Sequence, residues 1–106
     1  MNVIWIVADT FRQDHLGAYG KSEIKTPSLD ALAAKATRFG RHYAAGFPTM
    51  PTRADHATGR WTMSFMGWEP IPEDAVTLAE ILAADGVHTA AMVDTPFYLR
   101  GGMNYD

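Results

Sequence analysis

The stretch VIWIVAD, residues 3–9, decides how the rest of the chain is read. Six consecutive apolar residues, Val3 to Ala8, offer no polar face to water. The run therefore predicts a strand covered on both sides, the usual centre of a parallel sheet. It stops at Asp9, and the carboxyl ends of such strands are where open α/β sheets collect their ligands. A second run, VHTAAMV (87–93), reads the same way and again ends in a carboxylate, Asp94.

Helical patterns separate the two runs. In TPSLDALAAKATRFG (26–40), Thr26 is an N-cap candidate and Pro27 suits the first helical position. Leu29, Leu32, Ala33 and Ala36 then recur at helical spacing. RFGRHYAA (38–45) predicts an extended segment. In TLAEILAADG (77–86), Thr77 and Glu80 form a capping-box pair, Leu78, Ile81 and Leu82 make the expected buried stripe, and Gly86 is the stop. Residues 61–74 hold Trp61, Phe65, Trp68, Pro70 and Pro72 without any period and predict a long surface loop. Alternating strands and helices indicate an α/β layer fold. YLRGGMNYD (98–106) closes no element, so residues 1–106 are expected to be the first portion of a larger domain.

Composition sets outer bounds. The chain has 106 residues, 47% of them hydrophobic and 20% charged, with a formal net charge of −3. A globular segment of that size buries roughly two-thirds of its unfolded surface. The acidic balance argues against nucleic acid as a partner, because no basic stripe answers the phosphates. Cysteine is absent, which removes disulfides, zinc thiolates and a thiol nucleophile. No run approaches the ~20 apolar residues that span a bilayer, so no membrane partner is expected. VIWIVA lacks a basic region before it, and the default expectation is a cytoplasmic protein.

The chemistry is concentrated in GFPTMPTRADHATGR, residues 46–60. Pro51 fits the first turn of a helix running to about Thr58, with Gly59 as its stop. Thr49 would lie at or before the N-cap, where free backbone N–H groups favour negative charge. Arg53 follows one helical turn later, with a guanidinium suited to gripping an anionic oxygen. The same residues admit a plainer reading, in which Thr49 caps the helix and Arg53 pairs with Asp55 or lies on the surface. Asp9 is equally a common turn residue.

Three ordered motifs, NVIWIVADTFRQDHLGAYG, TPSLDALAAKATRFGRHYAAG and PTMPTRADHATGR, resemble the sulfatase family of the alkaline phosphatase superfamily. The resemblance implies an alkaline-phosphatase-like α/β three-layer sandwich with a mostly parallel central sheet, of which only the N-terminal part is present. It implies a divalent metal ion (Ca, Mg, Mn or Zn) at the strand ends, with Asp9 as a ligand. Thr10 stands where a second Asp ligand is frequent. In the motif Cys or Ser, any residue, Pro, any residue, Arg, the chain has Thr49, Met50, Pro51, Thr52 and Arg53. Thr49 thereby inherits the nucleophile position, beside the metal, and Arg53 the supporting cation.

Threonine changes the chemistry. Its β-carbon already bears a methyl group, so it cannot give the formylglycine aldehyde, which is not expected here. Asp94 and Pro96 also stand where formylglycine enzymes often carry a sulfate-binding Lys and His. On these grounds the reading prefers attack by Thr49 on a phosphate or phosphonate ester over a sulfate ester. A sulfuric ester hydrolase, a phospho-group transferase and a non-catalytic, partner-binding fragment stand as its rivals. His15, His42, His56 and His88 show no metal-ligand spacing. RQDH (12–15) resembles a family segment shaping the loop beside the metal. The implied partners are a small anionic ester as substrate and the remaining ligands and leaving-group acid, on downstream sequence or a separate chain. A homo-oligomer is compatible with the same reading.

Overall fold

The computed structural model describes residues 2–20, 23–98 and 103, arranged in two compact units, Met1–His42 and Tyr43–Asp106. In the first unit, 3-10 turns at Gln13–His15 and Gly17–Tyr19 precede helix α1, Pro27–Ala33. The second unit holds α2 at Thr49–Thr58, a 3-10 turn at Thr62–Ser64, α3 at Leu78–Ala84 and a last 3-10 turn at Pro96–Tyr98.

The expected strands are absent among the described residues. Residues 3–8, 38–45 and 87–93 carry no ladder, and the three-layer sandwich is not seen. A strand exists only through hydrogen bonds to a neighbouring strand, and none of these runs meets one. Their side chains agree: Val3, Ile4, Ile6 and Val7 are 51–86% exposed, so the apolar opening run is not a covered strand here.

The helix signals fare better, because they act within a few residues. Pro27 opens α1 as expected, but Thr26 makes no side-chain cap. Its hydroxyl instead accepts from Gly17 N (3.1 Å) and lies 3.1 Å from Asp30 Oδ1. The same Asp30 oxygen accepts from Ala18 N at 2.7 Å. Gly17 leaves room for this carboxylate, since a Cβ would stand 2.5 Å from Asp30 Oδ2 and force a shift. Helix α1 ends at Ala33, leaving Ala36 outside it, and Leu29 and Leu32 are exposed. Tyr19 Oη donates to Phe39 O at 3.0 Å, and the Arg38 guanidinium lies 5.1 Å from the Tyr19 ring centre.

In the second unit the core is Ala54, Met66 and Ile71, with Ala57 and Ala75 against it. Ile71 N donates to Met103 O at 3.1 Å. Helix α2 stops at Gly59, whose φ of 67° is a left-handed geometry that glycine adopts at no steric cost. The loop 61–74 contains the 3-10 turn Thr62–Ser64. Most of the chain-end stretch 98–106 lies outside the described residues.

The Thr77–Glu80 capping box is present. Glu80 Oε2 accepts from Thr77 N (2.7 Å), and Thr77 Oγ1 accepts from Glu80 N (3.3 Å). Leu78 and Ile81 are exposed and only Leu82 is half-buried, so the stripe expected to be buried is largely uncovered. The Thr77 N–H, and secondly its hydroxyl, holds the Glu80 carboxyl below its ordinary value. A depressed carboxyl contributes stability above its unfolded pKa and loses it as pH falls through the folded one. The α3 signal is therefore expected to weaken under acid at a pH below the usual glutamate range. Thr77→Ala should cost about 1 kcal/mol; circular dichroism against pH and denaturant checks both.

Candidate functional site

Helix α2 begins with Thr49 as its first residue and Pro48 as the N-cap. Thr49 is thus one step further in than an N-cap, and the plain capping role does not apply to it. Among the described residues its hydroxyl makes no hydrogen bond, and the residue is half-buried. Arg53 is half-buried on the same helix, four residues on. Over ten residues the helix aligns enough peptide dipoles to favour negative charge at the Thr49 end.

The turn that delivers Thr49 is held from both sides. Thr52 Oγ1 lies 2.6 Å from Gly46 O and 3.0 Å from Pro48 O, and its one proton serves one carbonyl at a time. Met50, Pro51 and Ala54 are buried beneath the turn, and Gly46 is buried beside it. A Cβ on Gly46 would meet Asp55 Oδ2 at 2.5 Å and the Pro51 carbonyl carbon at 2.9 Å. Asp55 Oδ1 accepts from Thr62 N at 2.7 Å, and Thr62 Oγ1 stands 2.7 Å from the same oxygen and 3.0 Å from Pro51 O.

Asp9 and Thr10 lie in a turn of the first unit, both exposed, so the four candidate residues are divided two and two between the units. Thr10 has φ 55°, a left-handed backbone that a β-branched residue adopts only at a cost. Next to it, Arg12 forks onto Asp14, with Nε to Oδ1 at 2.9 Å and Nη2 to Oδ2 at 2.6 Å. That hydrogen-bonded pair lowers the Asp14 pKa and raises that of Arg12. Both side chains are exposed, so the pair is a local surface contact within RQDH.

A hard divalent ion takes about six or more oxygens. Among the described residues no three His, Asp or Glu side chains converge. Asp9 and Thr10 together supply too few donors, so these residues alone do not fit a complete metal site. Asp94 accepts from the neighbouring Thr95 hydroxyl at 3.2 Å, a local contact. His56 is exposed, and His42 meets Phe39 edge-on at 6.4 Å.

A hollow of about 210 Å³ opens between Ala54, Thr58, Thr62, Phe65, Ile71 and Asp74. Neither Thr49 nor Arg53 lines it, so the apolar hollow and the candidate chemistry are separate features. The sequence reading offered Asp55 only as a partner for Arg53 and missed its contacts with Thr62 and Gly46. The available signal was a carboxylate set next to Ala54, on a helix otherwise packed by Met50 and Pro51.

The family model described as Sulfatase matches residues 1–103. Bovine (Bos taurus) arylsulfatase A is 40% identical over 98 residues, covering 83% of this chain and 19% of the relative. The ulvan-active sulfatase of Formosa agariphila is 34% identical, covering 84% and 18%. Human (Homo sapiens) steryl-sulfatase is 30% identical, covering 84% and 18%. The chain thus spans about a fifth of the length of these curated relatives. No solved structure matches it.

Two outcomes follow from the backbone of the site. Thr10→Asn places a residue that tolerates left-handed geometry at φ 55° and should raise stability by roughly 1 kcal/mol. Gly46→Ala forces a methyl group onto Asp55 and Pro51 and should cost about 1–3 kcal/mol. Denaturant unfolding of the two variants measures both.

Proposed function

Because the chain belongs to the sulfatase family, we propose that it forms part of a sulfuric-ester hydrolase, with Thr49 and Arg53 at the reacting group. With the family comes the expectation of an alkaline-phosphatase-like α/β fold, to which the described residues contribute helices. The observation that carries the reading is the match over residues 1–103, which includes the Thr49–Arg53 turn. The relatives, arylsulfatases and an ulvan-active sulfatase among them, favour a sulfate ester over the phosphate or phosphonate ester preferred from sequence.

In this reading the first turn of α2 receives the anionic ester. The positive end of the helix dipole and the Arg53 guanidinium oppose the negative charge that grows on the equatorial oxygens. Thr49 Oγ forms a bond to sulfur as the bond from sulfur to the departing oxygen breaks, and the hydroxyl proton leaves with the alcohol. Water then cleaves the sulfated threonine, returning the hydroxyl and releasing sulfate. The remaining ligands and the leaving-group acid come from outside these residues.

One observation keeps a second reading in play. Thr49 cannot form the aldehyde through which formylglycine enzymes expel sulfate, whereas a threonine alkoxide attacks phosphorus by the same in-line path. Turnover of an aryl sulfate, an aryl phosphate diester and an aryl phosphonate by the active protein separates the two. A dominant sulfate rate is expected; a dominant phosphorus-ester rate puts the second reading first. Thr49→Ala should cut turnover by roughly a thousandfold or more, as removal of a nucleophile does. Near-normal turnover in that variant would leave a binding role in place of catalysis. Product analysis with an added alcohol distinguishes hydrolysis from transfer.

A further inference from the structure

Asp55 is unusual in its setting. It follows buried Ala54 on α2, and its Oδ2 is buried without a hydrogen bond among the described residues. Burying a carboxylate is costly unless its interactions repay desolvation. The repayment here is specific. Oδ1 takes the Thr62 amide at 2.7 Å and lies equally close to the Thr62 hydroxyl. Thr62 is only 2% exposed, and its hydroxyl reaches Pro51 O at 3.0 Å. Oδ2 faces the Gly46 backbone so closely that a Cβ there would stand 2.5 Å from it and force a shift.

These contacts surround Thr49 without touching it. Gly46 lies three residues before it and Pro51 two residues after. The segment between is pinned at one end by Asp55 and Thr52, and at the other by Thr62. We propose that Asp55 and Thr62 are positioning residues for Thr49. The Asp55 carboxylate clamps the Thr62–Ser64 turn onto the first turn of α2 and closes against Gly46, fixing the angle at which Thr49 is presented. This rests on the reading of Thr49 as nucleophile and adds the device that aims it. A misplacement of about 1 Å at a reacting atom costs on the order of a hundredfold in rate.

The test compares Thr62→Ser, which keeps the hydroxyl, with Thr62→Val, which keeps the shape and loses it, in the active protein. Asp55→Ala is run alongside, with Thr49→Ala as the control. Thr62→Val and Asp55→Ala are expected to lower kcat about 10- to 100-fold. KM should stay within about twofold, because the lost quantity is transition-state alignment and not substrate binding. Thr62→Ser should restore most of kcat. Thermal melts taken in parallel confirm that each variant is folded, and the Thr62 pair decides the matter if Asp55→Ala does not fold. Equal kcat for Thr62→Val and Thr62→Ser, or a rise in KM at constant kcat, overturns the positioning role. If Thr49→Ala is inactive in that case, the nucleophile reading survives it. An active Thr49→Ala overturns both.

Discussion

The second unit depends on one carboxylate. Asp55 accepts the Thr62 amide, sits beside the Thr62 hydroxyl and packs against Gly46, joining a helix, the turn after it and the loop before it. Three segments that share little apolar surface are thereby held in one geometry. Among the described residues, the buried cluster of Ala54, Met66 and Ile71, even with Met50 and Met103 also buried, is too small to order those loops by burial alone. Directional hydrogen bonds accepted by a partly desolvated carboxylate do so, because each fixes a distance and an angle that apolar contact leaves open.

The first unit solves the same problem in the same way. Asp30 on α1 takes the Ala18 amide, and Thr26 takes that of Gly17, over a glycine that leaves room for the carboxylate. In both units a helix-borne aspartate collects loop amides, a threonine hydroxyl completes the contact, and a glycine marks the close approach. Apolar side chains such as Ile4, Leu32 and Ile81 take little part, since they remain largely in solvent.

Family and side-chain chemistry pull the functional reading in different directions. The similarity is to sulfate-ester hydrolases, while the residue at the start of α2 is a secondary alcohol that cannot be oxidised to an aldehyde. An anion at a helix start, with a guanidinium one turn along, serves tetrahedral sulfur and tetrahedral phosphorus alike. In the proposed reading, such an arrangement selects the charge and shape of the reacting group more firmly than its central atom.

Residues close in sequence were read correctly where their physics is local. Pro27 and the Thr77–Glu80 pair start helices, and Gly59 stops one, because each acts on backbone groups within four residues. The helix that carries Thr49 and Arg53 was equally legible, since Pro51 suits its first turn and Gly59 its end. The strands were not, because a ladder needs a partner that periodicity cannot supply, and the described residues bring none to VIWIVA or VHTAAMV. Asp55 with Thr62, and Asp30 with Ala18, escaped notice for a related reason: no repeat links the partners. Sequence alone therefore determined the family, the helix starts and the chemistry available at Thr49. Only tertiary structure decided how the first turn of α2 is joined to the Thr62–Ser64 turn, because that depends on which distant amides a carboxylate reaches once the chain has folded.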